Sequence, residues 1–116
     1  AMLFTEPIIQ NKDFLRLYRK GASRVHPILV TYAARNRLGR NRLGLTASKK
    51  VGCAVERNRC RRIIREAYRL LEPGLTPGWD IVFVARTRTK GCSMNQIHQV
   101  MEGHLRQLTT PPVKKR

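Results

Sequence analysis

The sequence is short of acid. Glu6, Asp13, Glu56, Glu66, Glu72, Asp80 and Glu102 are its only carboxylates, against 24 lysines and arginines in 116 residues. Asp13 and Asp80 lie far apart, so nothing local seeds a two-metal hydrolytic site, which needs several carboxylates converging on two cations. Cysteine is scarce too. Three thiols are an odd number and too few for a disulfide framework, which predicts a reduced, cytoplasmic protein. Cys53 and Cys60 fit no common zinc spacing, and neither Cys53 nor Cys92 has a nearby histidine to activate it. No metal ligand and no catalytic residue is assigned. No apolar run is long enough for a transmembrane helix, so no membrane is expected. The N-terminal residues lack the basic start and apolar run of a signal peptide. There is no Walker-type phosphate loop, and Gly21, Gly39, Gly44 and Gly52 read as turn residues.

What is abundant is positive charge. The formal net charge is +17. So much like charge on one small domain repels itself and calls for a polyanionic partner, with nucleic acid the leading candidate. The length suits a single domain spanning 1–116, with an irregular segment over 1–10 and a mobile basic tail over 109–116.

Hydrophobic spacing predicts a first helix over 12–20, capped by Asn11 and ended by Gly21, with Phe14, Leu15 and Tyr18 on one face. Strands are expected over 28–33 and 42–47, paired as an antiparallel hairpin around a basic turn. A second helix over 55–71 is the plainest signal. At 100° per residue, Cys60, Ile63, Ile64, Ala67, Leu70 and Leu71 gather on one side and Arg57, Arg61, Arg62, Arg65 and Arg69 on the other. Pro73 and Gly74 should end it in a left-handed cap. Residues 80–86 read as a buried strand. Ser93 and Gln96 form a capping box for a last helix whose core face holds Ile97, Val100, Met101, His104, Leu105 and Leu108. The order, α-β-β-(β)-α-β-α, implies an α/β (α+β) two-layer sandwich, a small mixed sheet with three helices.

The arginine face of the second helix carries the functional argument. Guanidinium groups grip phosphate oxygens in pairs, and a merely solvated face would normally interleave more acid than the lone Glu66. Phe14, Tyr18 and Tyr32 suit either the core or the stacking of unpaired bases, and stacking would favour RNA. Three readings stand: a binding subunit of an RNA-containing endonuclease, a structural binder such as a ribosomal protein, and a self-sufficient nuclease, the last disfavoured by the shortage of carboxylates.

The run from Ser48 through Lys49 and Lys50 to Arg69, with its core Gly-x-Ala-Val-x-Arg-Asn-Arg-x-x-Arg-x-x-Arg at 52–65, closely resembles the protein subunit of bacterial ribonuclease P. Asn11 to Phe14 with Tyr18, Arg42 to Leu45, and Asp80 to Arg86 resemble further segments of that family in order. The resemblance implies a left-handed βαβ crossover, against the usual right-handed rule. It implies binding to a catalytic RNA that holds magnesium, removal of the 5′ leader from precursor tRNA, and no DNA partner. By position, Arg57, Asn58, Arg59, Arg61, Arg62 and Arg65 would meet the RNA subunit. Phe14, Tyr18 and Tyr32 would line a cleft for the leader, with Ser48, Lys49, Lys50 and Arg86 beside it. Two departures stand out. Cys53 occupies a position where the family often has asparagine, and residues 3–9 are apolar rather than basic, which would suit packing in the cleft or on a neighbour.

Overall fold

The structure, a computed structural model, describes residues 5–109. Five strands, β1 (Thr5–Pro7), β2 (Ala22–His26), β3 (Leu29–Arg35), β4 (Asn41–Thr46) and β5 (Trp79–Ala85), form one mixed sheet in the order β1-β4-β5-β3-β2. Three α-helices, α1 (Asn11–Lys20), α2 (Ala54–Leu71) and α3 (Met94–Thr109), cover it, with 3-10 turns at Glu72–Gly74 and Thr87–Gly91.

β5 is buried at every position but Val84, and it takes the centre of the sheet. A strand covered on both faces gains most there. It runs parallel to β4, with α2 as the crossover, and antiparallel to β3. The expected hairpin between 28–33 and 42–47 is therefore wrong, because β5 lies between those strands. β3 instead pairs with β2, across a tight turn in which His26 faces Leu29. β2 escaped the sequence reading because Ala-Ser-Arg-Val-His at an exposed edge shows no apolar alternation. His26 is the last residue of β2 and pairs with Leu29, the first of β3. The segment 1–10 is not wholly irregular either: β1 pairs parallel with β4.

Alternation on the strands divides the core in two. Leu29, Leu43, Ile81 and Phe83 face α2 and α3 in the larger cluster with Ile64, Ile97 and Met101. Val82 faces the other way and meets Leu17 and Ile8, with Phe14, Tyr32 and Val84 packed around them. α1 thus lies alone on the second face.

The helix ends depart from expectation in small ways. Asn11 is inside α1, and the preceding Gln10 makes no side-chain cap. Gly21 is extended rather than left-handed; glycine suits it because a Cβ would lie 2.7 Å from the Leu17 carbonyl oxygen. On α2 the buried stripe includes Cys60, Ile64 and Ala67 but swings to Tyr68, leaving Leu70 57% exposed. The cause is β1: the Tyr68 hydroxyl lies 2.8 Å from Thr5 Oγ1, and its ring meets Phe83 edge-on. Burial raises the Tyr68 pKa to about 12. Past Leu71 the chain tightens into the turn Glu72–Gly74, with Gly74 outside the left-handed region. α3 starts as expected, the Ser93 N–H donating to Gln96 Oε1 (2.8 Å) and the Gln96 N–H to Ser93 Oγ (3.3 Å). Thr109, read as the first residue of the tail, belongs instead to this helix and donates to the Leu105 carbonyl; residues 110–116 lie outside the described residues. Among the described residues, no helix is long and apolar enough to cross a membrane.

Candidate nucleic-acid interface

A buried carboxylate fixes the position of α1. Asp80, at the start of β5, has no exposed side-chain surface. Arg42 of β4 donates to it twice, Nε to Oδ1 (2.9 Å) and Nη2 to Oδ2 (2.7 Å). Arg16 of α1 adds a bond of 2.6 Å and Asn36 one of 2.7 Å. Arg42 also reaches Asp13 of α1 at 3.4 Å. Burial alone would raise the Asp80 pKa. The hydrogen bonds from Arg42 and Asn36 and the charges of Arg42 and Arg16 outweigh it and hold the group below its ordinary value. Arg42 is pushed upward chiefly by its bonds to Asp80. These residues were not singled out from sequence as site-forming, and only the three-dimensional pairing shows their part.

With α1 held there, its aromatic face meets the sheet. The Phe14 ring lies directly on Gly44 of β4. A Cβ at that glycine would come within 2.5 Å of Phe14 Cε1 and 3.2 Å of Val82 Cγ2. Gly44 is thus a mid-strand seat for a ring, not a turn residue. Tyr18 stands 6.5 Å from Phe14 and 5.0 Å from Tyr32 of β3, centroid to centroid, so the three predicted aromatics form one chain of rings. Tyr18 is exposed, while Phe14 and Tyr32 are half-buried. They belong partly to the small core and partly to the surface.

Two hollows flank this chain. On one side, about 190 Å³ lies between Phe14, Pro7, Ile8, Leu43 to Leu45, and Arg61 and Arg65 of α2. β1 stops pairing once the Ile8 N–H has bonded the Leu43 carbonyl (2.9 Å). The β4 edge then opens, and the two arginines reach the aromatic face past it. On the other side, about 410 Å³ is lined by Tyr32, Val25, Val30 and Val84, with Ser48, Lys50 and Arg86 at the rim. The predicted Ser48, Lys50 and Arg86 therefore stand together beside Tyr32. Lys49 is exposed in the same turn but does not line that hollow. Ile8 is buried beside the groove, which places part of the apolar N-terminal segment there, while Ile9 is exposed.

The remaining basic residues predicted for the site lie on α2. Arg57 donates to the Gly52 carbonyl, Arg59 to the Lys90 carbonyl, and Arg61 to the Asn58 side chain. Arg62 and Arg65 make no ion pair among the described residues. The carboxylates are engaged elsewhere: Glu6 with Arg40, Glu66 with Arg69, Glu102 with Arg106, and Glu56 with Lys90. Cys53 is an exposed cap whose N–H donates to Glu56 Oε1 (2.9 Å), and that bond lowers the Glu56 pKa. Burial raises the pKa of Cys60 and of Cys92. Among the described residues, no three His, Cys, Asp or Glu side chains cluster to hold a metal ion.

The family model for ribonuclease P matches residues 4–109. The chain belongs to the ribonuclease P protein family. It is 42% identical over 94 residues to the ribonuclease P protein component of Clostridioides difficile, covering 80% of this chain and 82% of that one. The component from Herpetosiphon aurantiacus is 40% identical over 96 residues, 83% of this chain and 78% of the relative. The solved structure of the Staphylococcus aureus RNase P protein superposes with a TM-score of 0.79 at 34% identity, covering 90% of this chain and 97% of that one. The Thermotoga maritima RNase P protein shares the fold, with a TM-score of 0.80 at 24% identity over 90% of this chain and 99% of that one. Membership in this family makes the chain a protein subunit in tRNA 5′ processing that works with the ribonuclease P RNA.

Proposed function

We propose that this subunit grips the ribonuclease P RNA with the arginines of α2 and draws the 5′ leader of precursor tRNA across the aromatic groove. One observation carries the reading: Arg61 and Arg65 of α2 share a hollow with Phe14 of α1, so the basic face and the ring chain form one surface. Guanidinium groups suit the phosphates of a folded RNA, and exposed rings suit the splayed bases of a single strand. Ser48, Lys50 and Arg86 beside Tyr32 supply charge for the leader backbone, with Lys49 in the same turn. Cleavage belongs to the RNA and the magnesium it holds, and the protein binds, orients and screens charge. Its three free cysteines suit a cytoplasmic setting.

The test is reconstitution. Protein, ribonuclease P RNA and labelled precursor tRNA are combined at magnesium low enough that the RNA alone is slow. Cleavage at the mature 5′ end only when RNA and protein are both present supports the reading. Cleavage by protein alone, or no stimulation across protein and salt concentrations, contradicts it.

A further inference from the structure

Two of the three thiols take no part in the basic face or the groove and lie inside the fold. Cys60 has no exposed surface, and Cys92 is 7% exposed. Both belong to the larger core cluster between the sheet, α2 and α3. Cys53 stands apart, exposed at the start of α2.

The elements that carry this pair are fastened to each other. The Arg59 guanidinium donates to the Lys90 carbonyl (3.1 Å), and the Lys90 ammonium lies 3.7 Å from Glu56 Oε2. Residue 90 therefore sits against the stretch 56–59 of α2. Cys60 follows one turn after Glu56 on the same side of the helix. Cys92 follows two residues after Lys90 and is buried in the core. Burial chiefly raises the Cys60 pKa, and the charge that Cys92 would carry raises it further, so the two sulfurs are within electrostatic reach of each other. A disulfide needs Cα atoms about 5–6 Å apart, and α2 and the turn Thr87–Gly91 are already in direct contact at this level. The pair also has an entrance. A hollow of about 520 Å³ opens between Ile28, Glu56, Thr87, Arg88 and Lys90, with Cys92 on its wall. The Cys92 S–H donates to the Arg88 carbonyl (3.2 Å).

We propose that Cys60 and Cys92 are a redox-active pair, which a two-electron oxidant such as hydrogen peroxide closes into a disulfide that staples α2 to the turn after β5. Cys92, reached through the hollow, reacts first. Its sulfur takes one peroxide oxygen, the O–O bond breaks, and water leaves a sulfenic acid behind. The Cys60 sulfur then attacks that sulfur, the S–S bond forms, and a second water departs with the oxygen. Two thiols lose two hydrogens and two electrons, and one peroxide becomes two waters. Burial raises both pKa values and keeps both thiols protonated near neutral pH, which makes the reaction slow. The same burial leaves the reduced pair no stabilised thiolate, so the disulfide resists reduction once formed. Cys53 is left out, because it faces solvent rather than the core that holds the other two.

The experiment treats the reduced full chain, wild type and Cys53→Ser, with hydrogen peroxide, alkylates the remaining thiols and maps the peptides without reduction. The Cys53→Ser chain should fall from two free thiols to none and stay monomeric, with the peptide holding Cys60 joined to the one holding Cys92. Folded wild type should carry the same link, and dithiothreitol should restore both thiols. In denaturant the selectivity should vanish, and Cys53 with Cys60, nearest in sequence, should become the main link in wild type. The oxidised Cys53→Ser chain should unfold at higher denaturant than the reduced one, because the link restricts the unfolded chain. Adding Cys92→Ala should abolish that shift. A link from Cys53 to either partner in folded wild type would overturn the pairing. So would a sulfinic acid at Cys92 with Cys60 still free, or two free thiols in folded Cys53→Ser after an exposure that links the unfolded chain. A disulfide that leaves the denaturation midpoint unchanged would overturn the staple.

Discussion

The sharpest steric constraint in the groove sits on a residue without a side chain. Gly44 has room for the Phe14 ring and for nothing more. Gly44→Ala must displace either the ring or the strand, and overpacking of this kind costs about 1–3 kcal/mol. The expected outcome is a modest drop in the denaturation midpoint together with weaker binding of leader-bearing precursor tRNA. Mature tRNA, which has no leader to stack, should bind as before. His104 supplies a second residue-scale test. Its Nδ1 lies 2.8 Å from Thr31 Oγ1, and burial first, then the charges of His26 and Arg24, lower its pKa below the ordinary value. The unfolded chain therefore binds this proton at a higher pH than the folded one. Stability should be full above the ordinary histidine value of about 6.5 and should fall as pH drops from there toward the folded pKa. Chemical denaturation at several pH values checks the slope, and His104→Gln should flatten it.

At the scale of elements, α1 is held to the sheet by ion pairs as much as by apolar contact, since Leu17 is its one fully buried side chain. Asp80→Asn removes the counterion of Arg42 and Arg16. The loss should be about 3 kcal/mol, the low end for a buried pair because both arginines keep an edge in water. The depressed Asp80 pKa gives the sign of the acid response. Its contribution is present above the unfolded carboxylate pKa and is lost as pH falls through the folded value. Acid titration of wild type should show this extra loss, and Asp80→Asn should lack it. The elements themselves were unevenly legible. α2 and α3 could be read because their apolar residues repeat at helical spacing and Ser93 with Gln96 marks a start. β5 could be read from its β-branched run. The pairing of β3 with β5 rather than β4 could not, because strand order depends on which run is buried on both faces, and that is decided by α1 and α2 together. β1 and β2 were silent because edge strands need no apolar alternation. The Arg42–Asp80–Arg16 cluster was silent for a different reason: its members are distant in sequence and meet only through strand register.

For the molecule as a whole, the acid that exists is placed to quiet particular cations and leave others bare. Glu6, Asp13, Glu56, Glu66, Asp80 and Glu102 each face a lysine or arginine, while Arg62 and Arg65 on α2 have no acidic partner among the described residues. The basic face of α2 and the charged 48–50 turn were legible because the motif is contiguous. That Phe14, Tyr18 and Tyr32 form one chain of rings was not, because it needs α1 laid across Gly44. If Arg62 meets a phosphate, Arg62→Ala should flatten the salt dependence of RNA binding by about one contact. The central claim is that one surface serves two RNAs in separable ways. The measurement that tests it most directly is the affinity of the reconstituted RNA–protein complex for precursor tRNA and for mature tRNA, with wild type and Phe14→Ala compared. The account predicts that Phe14→Ala weakens precursor binding by about 1–3 kcal/mol, one stacked base, and leaves mature tRNA unchanged. Equal losses for both ligands, or none for either, would contradict it.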